Sequence, residues 1–135
     1  MPTFRDHAPR EAGETHRVVL TWLALAAVGA GIVHLALAWA VAVRSIGGHP
    51  VAGGVLAGVL ALAGSAELVW GLVALLIDRA TMPGLARWAA LAPVAGWALV
   101  LVSGATVDEL ALPFVPMGTA TVFDLFIAGG LQFVP

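Results

Sequence analysis

Between Arg17 and Arg44 the chain runs through residues 18–43 with His34 as its one ionisable side chain. A stretch of that length and character has few homes. The hydrocarbon core of a bilayer, about 30 Å thick, is crossed by about 20 residues of α-helix, so this run is long enough to span with tilt. In lipid the backbone must satisfy its own N–H and C=O groups, and a single segment does that only as a helix.

Three more apolar runs follow. Residues 51–77 carry Glu67 as their single charge and stop at Asp78 and Arg79. The breaker before them, Gly47, Gly48, His49 and Pro50, reads as a tight turn outside the membrane. Thr81-Met82-Pro83-Gly84 offers a helix start, with Thr81 as cap and Pro83 in the first turn, leading into residues 88–107, which hold no ionisable group. Pro93 inside that run removes one backbone hydrogen bond and is expected to kink it. Asp108 and Glu109 mark the exit, and residues 110–117, with Pro113 and Pro116, are expected to lie semi-extended along the interface. Residues 118–134 then form a short fourth helix near the lower limit for spanning.

The expected fold is therefore an all-α integral membrane protein, four transmembrane helices in an up-down bundle. Residues 1–17 form a polar arm of mixed charge in water, and residues 18–135 a single four-helix domain with helices at about 18–43, 51–77, 88–107 and 118–134. Composition agrees, since 61% hydrophobic against 10% charged residues leaves too little polar surface to cover a soluble domain. The apolar stretch at 18–43 is also well beyond the usual 7–15 residues of a cleaved export signal, despite small-residue triplets such as Ala38-Trp39-Ala40.

Arginines set the orientation, because positive residues in short loops stay on the cytoplasmic side. Arg5, Arg10, Arg17, Arg79 and Arg87 fall on one side and Arg44 on the other, which places both termini in the cytoplasm. Lysine is absent beside abundant Ala, Val, Leu, Gly and Arg, a composition matching a GC-rich bacterial genome, so the expected location is a bacterial inner membrane.

The same inventory excludes several chemistries. Without cysteine there are no disulfides, thiolate metal sites or cysteine nucleophiles. A net charge of −2 offers no basic surface for nucleic acid. A haem held by two histidines would need a second imidazole within a helix, and His34 has none, so no cofactor is expected. An enzyme is the least supported class, as no nucleophile stands beside a base.

Three ionisable residues fall within the apolar runs, His34, Glu67 and Asp124, and each needs a reason, since a charge at mid-membrane costs about 2.5–3.5 kcal/mol even on the lenient insertion scale. Small residues lie four positions to either side of each: Ala30 and Ala38, Ala63 and Gly71, Ala120 and Ala128. This favours interior placement. Counted from the helix midpoints, His34 and Asp124 share a depth and should pair, with Glu67 about two helical turns deeper. The trio reads either as structural glue between helices or as a proton- or metal-handling site. A looser surface metal set, His49, Asp108, Glu109 and Met117, requires the outer loops to converge, and the arm residues His7 and His16 match no ligand spacing.

Trp22, Trp39 and Trp88 fit membrane interfaces as anchors, while Trp70 and Trp97 sit deeper. Gly54 and Gly58, continued by Ala57, Ala61 and Ser65, form a helix-association face. With loops too short for a soluble active site, the leading expectation is an accessory subunit that stabilises or regulates a larger membrane complex. The alternative is a small proton or metal transporter, working as a homo-oligomer and using His34, Asp124 and Glu67.

Overall fold

In the computed structural model of the chain, the described residues are 8–46, 50–102 and 114–133. Their regular structure is all helical: α1 Ala8–Ser45, α2 Pro50–Ile77, α3 Pro83–Val102, α4 Phe114–Gly130, and a terminal 3-10 turn, Leu131–Phe133. Two of these are long and apolar enough to cross a membrane, through Gly13–Arg44 and Gly53–Ile77.

Helix ends depart from the sequence reading in three places. First, α1 begins at Ala8 rather than at residue 18, so most of the arm belongs to the helix. Ala, Arg and Glu are good helix formers, and extending an existing helix avoids the cost of nucleation. Second, α3 begins at Pro83, where the fixed φ of proline suits the first helical position, and runs on through Pro93. The Met82 carbonyl accepts the Ala86 N–H at 3.0 Å, so Met82 caps the helix instead of Thr81. Third, α4 begins at Phe114, with Pro116 in its first turn, where a missing N–H loses nothing. Residues 103–113, including the expected end of the third run with Asp108, Glu109 and Pro113, lie outside the described residues.

Around the bundle, α1 lies against α2 and α4, and α3 completes the ring between α4 and α2. The closest seam is α1 with α2, and glycine makes it. A Cβ on Gly64 would stand 2.7 Å from the Gly31 carbonyl oxygen and 2.9 Å from the His34 Cβ, and one on Gly71 would stand 2.7 Å from the Ala24 oxygen. Backbone meets backbone there as it does in small-residue contacts between membrane helices. The notch expected at Gly54 and Gly58 does not serve this seam: both are exposed, and a Cβ on either meets nothing within 4 Å. Ala57 and Ala61 are half-buried against the Leu37, Leu60 and Trp97 cluster, and Ser65 is exposed.

Alanine and leucine fill the interior at one end, where Leu23, Ala27 and Ala30 of α1 meet Ala90 of α3 and Ile127 and Ala128 of α4. Outward, the surface is apolar. Leu62, Leu76 and Val115 are 75%, 83% and 76% exposed, and Trp22, Trp39 and Trp88 project from it as well. The loop between α2 and α3 is tied in twice. Arg17 Nε meets Asp78 Oδ2 at 2.6 Å, and Trp70 Nε1 donates to the Thr81 carbonyl at 2.7 Å. Asp78 (φ 53°) and Met82 (φ 48°) take the left-handed backbone that this reversal requires.

Candidate functional site

His34, Glu67 and Asp124 come together in the middle of the bundle, one from each of α1, α2 and α4. Local sequence explains the convergence. His34 sits between Ala30 and Ala38, and Asp124 between Ala120 and Ala128, all four alanines being buried, so α1 and α4 approach closely at this level. On α2, Glu67 lies one turn from Gly64 and one from Gly71, the two notches that receive α1. His34 and Asp124 are fully buried and Glu67 is 5% exposed.

His34 Nδ1 is 2.8 Å from Glu67 Oε2, a hydrogen bond, and His34 Nε2 is 3.8 Å from Asp124 Oδ2. The bond expected between His34 and Asp124, direct or through one water, is not made directly, since 3.8 Å is beyond hydrogen-bond reach. Glu67, expected about two turns deeper, is instead the histidine's direct partner. Midpoint counting assumes that each helix is centred on the membrane, whereas the register between α1 and α2 is set by the glycine notches, which bring His34 beside Gly64 and hence level with Glu67.

The remaining polar atoms of the three side chains, His34 Nε2, Glu67 Oε1 and both Asp124 oxygens, are buried with no hydrogen-bond partner among the described residues. Buried polar atoms are paired in the great majority of cases, so four unpartnered atoms within one cluster call for a physical reason. One donor atom from each residue can be chosen so that all three lie within 4.8 Å of one another.

Electrostatics shape this site strongly. Two carboxylates and an imidazole in a low-dielectric interior cannot all remain charged without a counter-ion or shared protons, because unpaired charge there is costly. When Glu67 is ionised its oxygen accepts from Nδ1–H, and Nε2 of the neutral ring then carries a lone pair on the side of Asp124. Beside the cluster, Glu67 lines a void of about 20 Å³ whose walls are otherwise apolar, among them Ala27, Trp70, Ala86, Ala90 and Ile127.

Elsewhere the sequence candidates separate. Met117 is buried at 4% against Leu37 and Trp97, which removes it from any surface metal set, and His49, Asp108 and Glu109 lie outside the described residues. Among the described residues, His34, Glu67 and Asp124 are the grouping with metal-ligand spacing. Trp97 is buried, with its Nε1 unpartnered. The close contact of Gly31 with Gly64 was not anticipated from sequence, where glycines crowd the apolar runs and spacing alone does not separate notches from bystanders. Compared with protein-family models, curated proteins and solved structures, the chain matches none.

Proposed function

We propose that this chain is a multi-pass protein of a bacterial cell membrane, with both termini cytoplasmic, that handles a cation at the His34, Glu67 and Asp124 cluster. The membrane part of the reading is supported by the outer surface. In their most apolar windows only 44% of α1 and 28% of α2 is buried inside the bundle, whereas a core helix of a water-soluble domain would be mostly covered. Large side chains such as Leu62 and Leu76 face outward in numbers that water would punish and lipid would not.

One observation carries the functional part: three titratable groups from three helices converge in a buried position and leave four polar atoms unpaired. Glue between helices needs its hydrogen bonds made, and here one is made. A proton or a metal ion supplies the missing partner in either case, since imidazole and carboxylate exchange both reversibly.

Vesicles reconstituted with the purified chain test this reading. They are expected to dissipate an imposed pH gradient, or to admit external Zn²⁺, faster than protein-free vesicles. Asp124→Asn preserves shape and some hydrogen bonding but loses the ionisable oxygen, and should abolish the flux while the protein remains folded. Wild-type vesicles as tight as protein-free ones to both ions would refute the reading.

A second reading, the accessory subunit, is supported by Gly54 and Gly58 of α2, both exposed and with open space where a Cβ would stand. A transmembrane helix of a larger complex could seat there as α1 seats on Gly64 and Gly71.

A further inference from the structure

We infer that the cluster is a site for a divalent first-row transition ion of the zinc type, held by His34 Nε2 and Asp124, with Glu67 as the carboxylate that positions the imidazole. This inference rests on the cation-handling reading and goes beyond it by choosing the ion.

The distance between Nε2 and Oδ2 is the first argument. At 3.8 Å it is too long for a hydrogen bond, but two donors each about 2.1 Å from a shared ion and 3.8 Å apart subtend about 130° at it, about 20° wider than the tetrahedral angle and within reach of it by a few tenths of an ångström of closure. Two acceptor atoms with no proton between them do not pair directly, and this separation leaves room for an ion to bridge them.

A second argument comes from the other side of the ring. A histidine that binds a metal through one nitrogen almost always donates its other N–H to a carboxylate or carbonyl, which fixes the tautomer and aims the lone pair. Nδ1 to Glu67 Oε2 at 2.8 Å is that contact, and it leaves Nε2, fully buried and unpartnered, directed at Asp124. Glu67 Oε1 and both Asp124 oxygens are also unpartnered, and one donor atom from each of the three residues lies within 4.8 Å of the others.

Charge supplies the third argument. With the imidazole neutral, Asp124 and Glu67 contribute two negative charges, and a divalent ion brings the buried assembly to neutrality without borrowing protons. Hard ions fit poorly, because Mg²⁺ and Ca²⁺ take six or more oxygen ligands, whereas a mixed nitrogen and oxygen set with few donors suits Zn²⁺, Co²⁺ or Ni²⁺.

The test uses the full chain in detergent, titrated with Co²⁺ and followed by its visible d–d absorption, with Zn²⁺ as competitor. One ion per chain with a tetrahedral-type spectrum is expected, and Zn²⁺ should displace it. Asp124→Asn and His34→Gln should lose the spectrum while circular dichroism and gel filtration show the helical bundle unchanged. Glu67→Gln should keep the spectrum and weaken binding about 10- to 100-fold, the usual effect of removing a carboxylate behind a ligating histidine. A His7→Ala, His16→Ala double variant should bind as wild type. The inference is overturned if the wild type binds no ion, if Asp124→Asn and His34→Gln bind normally, or if the arm variant alone loses the ion. Proton flux in vesicles without Co²⁺ binding would sink the metal and leave the cation reading; Co²⁺ binding without any flux would do the reverse to transport.

Discussion

Replacing Gly64 by alanine tests the seam on which the site depends. A Cβ at this position would lie 2.7 Å from the Gly31 oxygen and 3.0 Å from the Leu35 nitrogen, against an ordinary contact of 3.4 Å or more. Both neighbours are backbone, so no side-chain rotation relieves the clash. To restore contact, α1 and α2 must part by about 0.7 Å. That displacement carries the His34 to Glu67 hydrogen bond from 2.8 Å towards about 3.5 Å, where it has lost most of its strength. Overpacking of this kind costs about 1–3 kcal/mol, of which roughly 0.6 kcal/mol is the weakened interhelical hydrogen bond.

The control is Gly58→Ala, where nothing lies within 4 Å. That change should be neutral or stabilising by up to about 1 kcal/mol, because alanine loses less backbone entropy than glycine in a helix. Equilibrium unfolding in mixed micelles, titrated with sodium dodecyl sulfate and followed by circular dichroism, measures both. Equal stabilities for the Gly64 and Gly58 variants would refute the close α1 to α2 crossing, and with it the placement of His34 beside Glu67.

Two other outcomes are expected. The chain has no cysteine, so single cysteines report cleanly: in intact cells one at Gly48 should react with an impermeant thiol reagent and one at Gly84 should not, the reverse pattern inverting the proposed orientation. Gly58→Leu should leave the fold of the isolated chain intact, since the position is open, yet weaken its recovery with a larger membrane complex if the accessory reading holds; co-purification unchanged by the substitution would remove the notch as a docking face.

Much of this protein is written in one-dimensional terms. The length of each apolar run, and the lone charges inside them, were enough to anticipate four helices and to single out His34, Glu67 and Asp124, because burying a charge is expensive wherever the chain goes. Alanines four residues to either side of His34 and Asp124 pointed inward correctly for the same reason: only small residues let a polar side chain meet a neighbouring helix. Helix ends were harder to read. Ala8 to Arg17 joined α1, and Phe114 to Met117 joined α4, since a polar or proline-bearing turn is tolerated at the end of a helix that is already formed.

Partnership within the site was decided by tertiary structure. Sequence order and midpoint depth pair His34 with Asp124, but interhelical register is set by which glycines let two backbones touch. Gly54, Gly58, Gly64 and Gly71 are alike as letters on α2, and only packing distinguishes the two that receive α1 from the two that face outward. Once Gly31 and Gly64 meet, Glu67 stands level with His34 and takes its Nδ1, and Asp124 is left 3.8 Å from Nε2. A composition of Ala and Gly states that close approach is available; the three-dimensional fit of one helix into another chooses where it occurs.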